Sequence, residues 1–406
     1  MTESYWLTNV LLESGFHYQG DMIAKTVTEV CHVLITDGKI KDIISADEPL
    51  PDEMQQWDMN GLLMLPSFRD MHIHLDKTYY GGPWKACTPF VDVFSRMEEE
   101  KELLPRLLPV TRERAEKILD LLLRNGITHI RAQCNVDPII GLENLEAVLQ
   151  ALESYRGKLS YEIVAFPQHG LLRSKSVDLV REALCNGATL VGGVDPATVD
   201  ENIEASLHTM IELAVEANAD IDLHLHDPGH LGTFTMKRLA TLTEEAGWQG
   251  RVSIGHAFGL GGVPVKTAED TAEVLAQAGI AIASTVPIDI PTPPIPLLHE
   301  KGVTVSLVND SITDHWDPFG TGDVLYKASI MAERFSWIDE QSLARSLSFI
   351  TGGKTPLDME GKRIWPVVGD EASVVFVKAS CSAEAVARRA ERQAVMYKGN
   401  IVSGSL

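Results

Sequence analysis

Strand-like and helix-like segments alternate along this 406-residue chain from residue 62 to residue 310, and that alternation leaves few folds open. The strand readings fall at 62–65, 127–133, 161–166, 189–194, 221–226, 251–256, 280–285 and 304–308. Each is short, apolar and bounded by polar or turn residues. Helical readings separate them, with a long polar span over 89–125 and then 142–155, 176–186, 200–218, 233–246 and 266–278. Eight strands with intervening helices predict an α/β fold, a parallel (β/α)8 or TIM barrel. A doubly wound open sheet is the alternative. It would be opened by a glycine fingerprint, and neither G-x-G-x-x-G after a strand nor G-x-x-x-x-G-K-[ST] occurs.

The two ends read differently. Residues 5–12 form a strand, and 31–35 with 39–44 form a hairpin around Asp37-Gly38. Near the other end, 372–377 is a strand, and 394–397 with 401–402 form a hairpin around Lys398-Gly399-Asn400. These pieces predict one small β-sandwich-like domain built from both termini, residues 1–62 and 362–406, flanking a barrel over 63–361. Hydrophobic side chains make up 45% of the chain, enough for one large core. The net charge of −22, with no block of Lys and Arg, argues against nucleic acid and against an anionic membrane surface as partners. The five cysteines, Cys31, Cys87, Cys134, Cys185 and Cys381, are scattered and odd in number. They read as reduced thiols of a cytoplasmic protein. No basic-then-apolar leader opens the sequence and no apolar run is long enough to span a membrane.

In such a barrel the C-terminal ends of the strands converge on one mouth, so the polar residues at those ends are the candidates for chemistry. The first strand leads to His72 and His74, two apart and therefore on one face, where two imidazoles can share a metal ion. The third leads to Gln168 and the fourth to Asp195. The fifth ends in His224 and His226, again two apart, followed by Asp227. The sixth ends in His256 and the eighth in Asp310. These groups can bind metal, move a proton or hydrogen-bond a substrate. A metal held by three His and one Asp keeps a position for water and lowers the pKa of that water. Asp310 can serve as ligand and as proton acceptor, and His256 on the neighbouring strand can orient the attacking water. The fourth strand ends in Val194-Asp195 and carries no lysine, so a carboxylated lysine bridging two ions is not available there. This argues for one metal ion.

The motifs His72-Ile73-His74-Leu75-Asp76, Phe166-Pro167-Gln168, His224, Ser253-Ile254-Gly255-His256, and Asp310 with Trp316-Asp317-Pro318-Phe319-Gly320-Thr321 resemble the amidohydrolase superfamily, in its cytosine deaminase-like branch. They are also similar to the N-isopropylammelide isopropylamidohydrolases, which act on a triazine ring. The resemblance covers nearly the whole chain. It implies that His72, His74, His224 and Asp310 bind one divalent metal ion, Zn(2+) or Fe(2+). It implies that His256 orients the metal-bound water, that Gln168 reads the polar edge of a small heterocyclic substrate and that Trp316 packs against it. Two departures stand out. Cytosine deaminases place a Glu three residues after the strand-five ligand, where this chain has Asp227 preceded by His226. They place a second Asp after the last ligand, where this chain has Ser311. His226 and Asp227 are therefore the candidates for moving protons beside His256 and Asp310. Lys77 matches a lysine of the triazine hydrolases and joins Gln168, Trp316 and Asp195 as a candidate for substrate binding. The expected activity is hydrolysis of a carbon–nitrogen bond other than a peptide bond in a cyclic amidine, a deamination that releases ammonia. Cleavage of an N-alkylamino substituent or of a ring amide is the alternative, and a non-catalytic binding protein the remote one. A homo-oligomer is compatible with this sequence.

Overall fold

The computed structural model describes residues 4–51 and 53–405, so residues 1–3, 52 and 406 of the expected terminal domain lie outside the described residues. The chain opens on a long antiparallel hairpin, β1 (Ser4–Gln19) and β2 (Met22–Thr36), and β2 turns again into β3 (Lys39–Ser45). Two short strands follow, β4 (Gln55–Asp58) and β5 (Leu63–Pro66).

Eight parallel strands then form the second sheet: β6 (Phe68–His74), β7 (Ile127–Asn135), β8 (Ser160–Phe166), β9 (Leu190–Val194), β10 (Asp220–Leu225), β11 (Val252–His256), β12 (Ala281–Ser284) and β13 (Val305–Leu307). They pair in chain order, and each is followed by a helix. These are α1 (Val93–Arg124), α2 (Glu143–Glu153), α3 (Val177–Cys185), α4 (Ile203–Ala217), α5 (Gly229–Ala246), α6 (Val265–Gln277), α7 (Ile295–Glu300) and α8 (Val324–Arg334). The sheet closes just beyond β13, where Asp310 bridges to Ile73 in parallel register. The Asp310 amide donates to the His72 carbonyl at 2.8 Å and the His74 amide to the Asp310 carbonyl at 3.3 Å. The fold is the expected (β/α)8 barrel.

Three last strands, β14 (Val374–Val377), β15 (Arg392–Tyr397) and β16 (Asn400–Gly404), join the first five in one sheet ordered β16-β15-β14-β5-β1-β2-β3, with β4 alongside β1. One sheet is thus built from both ends of the chain. Residues 62–65, expected as the first barrel strand, lie mainly in this sheet as β5, paired with β1 and β14. The reason is Pro66: lacking an N–H, it cannot continue a two-sided ladder, and the barrel begins afresh at Phe68. Leu63, Leu65, Val375 and Val377 pack into the barrel's apolar cluster, while Met64, Val374 and Phe376 pack into that of the terminal sheet. The period of two along β5 and β14 joins the two bodies.

Within the barrel the same period sorts β7. Ile130, Ala132 and Cys134 pack outward in the apolar cluster shared with the helices. His129, Arg131 and Gln133 turn inward, where they contact Ser160, Asp222 and Ser253. Among the described residues no helix is long and apolar enough to cross a membrane.

Candidate metal centre and active site

His72 and His74 lie at the end of β6 with Ile73 between them turned fully into the core. The barrel closure lays Asp310 against both. His72 Nε2 lies 3.4 Å and His74 Nε2 3.2 Å from Asp310 Oδ1. From β10, His224 Nε2 comes within 3.5 Å of His74 Nε2. From β11, His256 sets its ring centroid 5.0 Å from that of His72 and 5.4 Å from that of His224. One ligand atom each from His72, His224, His256 and Asp310 lie within 4.8 Å of one another. Metal–nitrogen bonds of about 2.1 Å put neighbouring donors of a tetrahedral ion about 3.4 Å apart. The separations His72–Asp310, His74–Asp310 and His74–His224 have that size.

The donor set suits a divalent cation. Burial, reinforced by the neighbouring histidines, pushes His224 well below the ordinary imidazole pKa, and burial pushes His74 down as well. Burial would raise Asp310, but His256, His72 and His74 outweigh it and hold the carboxyl well below its usual range. The His72 Nε2 atom and both ring nitrogens of His256 are buried without a hydrogen-bond partner. Buried lone pairs of that kind are costly unless a cation takes them. Asp310 and His256 also adopt left-handed backbone, φ 65° and φ 68°, and Asp195 sits at φ 36°. Such conformations cost a non-glycine residue about 1–3 kcal/mol each and concentrate at functional sites.

Several supporting groups were not legible as site residues. Gln133 Nε2 lies 3.3 Å from His72 Nδ1 and donates to Asp222 Oδ1 at 3.2 Å. Asp222 also accepts from Arg131 at 2.8 Å and from Ser253 at 2.7 Å. The row of polar residues at every second position of β7 was the available signal. Phe166 stacks on His224, centroids 3.9 Å apart and planes 17° from parallel. Gly255 is required beneath His72, because a Cβ there would stand 2.8 Å from its Cε1 atom.

His226, just past β10, is held by Asp195. Its Nδ1 lies 2.8 Å from Asp195 Oδ2, and its backbone amide donates to Oδ1 at 2.6 Å. Burial pushes the His226 pKa down, but the Asp195 carboxylate more than offsets this and the net shift is upward. The ring sits 4.3 Å from that of His256, centroid to centroid. Asp227 Oδ1 accepts from the Thr198 hydroxyl, and its Oδ2 is buried without a hydrogen-bond partner. Asp195 therefore spends its carboxylate on His226 and on the Asp227 amide.

Gln168, Lys77 and Trp316 form a second group. Lys77 is 1% exposed and donates from Nζ to Gln168 Oε1 at 2.7 Å and to Glu100 Oε1 at 3.3 Å. The Trp316 indole donates to Glu100 Oε1 at 2.9 Å. Glu100 comes from α1 and is completely buried.

A parallel barrel whose mouth gathers buried imidazoles around one carboxylate defines a metal-dependent hydrolase. The chain belongs to the amidohydrolase family, whose model matches residues 55–403. It acts in that family as a hydrolase of carbon–nitrogen bonds. Over 99% of its length it is 43% identical to the uncharacterized protein YahJ of Escherichia coli K12, covering 88% of that protein. The solved N-isopropylammelide isopropylaminohydrolase of Burkholderia multivorans is 30% identical, with a TM-score of 0.86 over 99% of this chain and 98% of that one. The 5-methylcytosine deaminase of Klebsiella pneumoniae shares the fold at 23% identity and a TM-score of 0.81, over 99% and 98% of the two chains.

Proposed function

We propose that this protein hydrolyses an exocyclic carbon–nitrogen bond of a nitrogen heterocycle and releases ammonia. The observation that carries the reading is the convergence of His72, His74, His224 and Asp310 at the mouth, with His256 and the Asp195-bound His226 beside them. The four residues would hold one divalent ion, Zn(2+) or Fe(2+). When bound, that ion supplies Lewis-acid activation of water. His256 orients the attacking water, and Asp310 takes its proton. The departing nitrogen needs a proton to leave. His226 is the favoured carrier, because Asp195 fixes its Nδ1 and its ring lies 4.3 Å from that of His256, centroid to centroid, whereas Asp227 accepts from Thr198 through Oδ1 and keeps only Oδ2 without a partner. Gln168 reads the rim of the ring and Trp316 forms a wall.

A second reading keeps the site and changes the leaving group to an alkylamine. The 30% identity to an N-isopropylammelide isopropylaminohydrolase favours it. Mass spectrometry of products from aminopyrimidines, aminotriazines, pterins and their N-alkyl derivatives separates the two. Ammonia with an oxo ring supports deamination. A free alkylamine with no ammonia from the unsubstituted rings moves the assignment to the second reading. Metal-loaded protein that converts neither set contradicts both.

A further inference from the structure

Away from the barrel mouth, a pocket of about 170 Å³ lies between β1, helix α9 (Glu340–Arg345) and helix α10 (Ser382–Arg388). None of the residues assigned to the chemistry above lines it. Phe16, Ala344, Leu357 and Met359 give it apolar walls, and Glu13 and Ser382 line it from the buried side. Glu13 is 2% exposed and Ser382 fully buried. Glu13 Oε1 accepts from the Ser382 backbone amide. Glu13 Oε2 and the Ser382 hydroxyl are buried without a hydrogen-bond partner.

No basic side chain answers this carboxylate among the described residues. Arg345, on the pocket wall, lies over the Trp337 ring, 5.0 Å from its centroid. Arg363 donates to the Glu13 backbone carbonyl at 2.7 Å and pairs with Glu29. Glu340, at the start of α9, accepts from the Thr26 amide at 2.8 Å and adds negative charge near Glu13. Burial pushes the Glu13 pKa up; the Ser382 amide and hydroxyl lie near enough to pull it down, but they do not reverse the shift. We propose that this pocket binds a small alkylammonium ion. Its N–H groups donate to Glu13 Oε2 and Ser382 Oγ, and its hydrocarbon end lies against Phe16, Leu357 and Met359. An ammonium group only donates, and both free oxygens can accept. A buried carboxylate without a counter-charge is costly, and the ammonium removes that cost. The apolar walls take the hydrocarbon out of water. A hard divalent metal ion wants about six oxygen ligands, which apolar walls do not supply. The inference is independent of which ring the barrel mouth takes.

The test is calorimetry on the intact protein at constant ionic strength, with n-propylammonium, ammonium and magnesium chlorides and 1-propanol as probes. Wild type is expected to bind n-propylammonium saturably. Ammonium lacks the hydrocarbon and 1-propanol lacks the charge, so each should bind at least about tenfold more weakly. Magnesium should not displace n-propylammonium. Glu13→Gln removes the charge and should weaken n-propylammonium binding by at least about tenfold. Met359 is 48% exposed, so Met359→Lys can place a competing ammonium at the pocket's lip without disturbing the core. It should weaken binding to a similar extent, with folding checked by thermal denaturation. No saturable binding by wild type, 1-propanol binding as tightly as n-propylammonium, or displacement by magnesium would overturn the proposal. So would unchanged affinity in folded Glu13→Gln or Met359→Lys. Should Glu13→Gln fail to fold, the wild-type series and Met359→Lys still decide it.

Discussion

At the scale of single residues, the proposed proton shuttle turns on two side chains. His226 lies against Asp195 and 4.3 Å from His256, ring to ring, while Asp227 bonds Thr198. Removing a general acid–base group costs about 10²–10⁴-fold in kcat. Steady-state kinetics should therefore show a loss of that size for His226→Ala and a much smaller one for Asp227→Ala; the reverse order would reassign the role. A second case is Gly255. Alanine there would press its Cβ against His72, 2.8 Å from Cε1, and shift an imidazole of the proposed metal site. Chelator competition should report metal affinity weaker by at least about tenfold in Gly255→Ala. The gathering of His72, His74, His224, His256 and Asp310 was legible in the sequence because each ends a barrel strand, and such ends meet. Glu100 was not. It sits in the run Glu98-Glu99-Glu100-Lys101-Glu102, which has the composition of a solvated helix face. Only the packing of α1 against the mouth distinguishes it from its exposed neighbours.

At the scale of elements, the inward face of β7 ties the lower barrel together. Arg131 donates to Glu162 at 2.7 Å and to Asp222 at 2.8 Å. Burial would raise the Glu162 pKa, but the His129 ring, whose Nε2 lies 3.5 Å from Glu162 Oε1, and the Arg131 guanidinium outweigh it and hold the carboxyl at about 2. A folded-state pKa below the unfolded value of about 4.3 gives stability that is full above the unfolded pKa. That stability disappears as pH falls toward the folded one. Urea unfolding should therefore find Glu162→Gln less stable than wild type by about 1–2 kcal/mol at pH 7. The gap should narrow steadily from pH 5 to pH 3, and a gap independent of pH would show that charge is not the cause. Most barrel strands and helices were readable from period and composition to within a few residues at each end. The β1–β2 hairpin was not read at its full length, because residues 13–30 mix polar, charged and apolar types without clean alternation, and pairing with β1 makes them a strand.

At the scale of the whole molecule, a barrel and a sheet made from both ends share β5 and β14 as their common wall. Phe376 is fully buried in the terminal-sheet cluster, well away from the mouth in sequence and in its packing. Phe376→Ala should lower stability by about 3–5 kcal/mol in thermal or urea unfolding. The folded fraction should keep its metal content, since the strand ends that carry the donors are untouched. That both ends build one sheet was readable as two β-rich flanks. That residues 63–66 belong to it was not, because an apolar run beside an HxH motif reads equally well as either strand. The central claim is that one metal ion, held by His72, His74, His224 and Asp310, is required for hydrolysis of a carbon–nitrogen bond. The direct test measures metal content and amine or ammonia release on the same samples of wild type, His224→Ala and chelator-stripped protein with metal restored. The account predicts about one ion per wild-type chain, product only from metal-loaded samples, recovery on restoring the ion, and loss of both ion and turnover in His224→Ala. Full turnover by the stripped protein, or an unchanged ion content in folded His224→Ala, would contradict it.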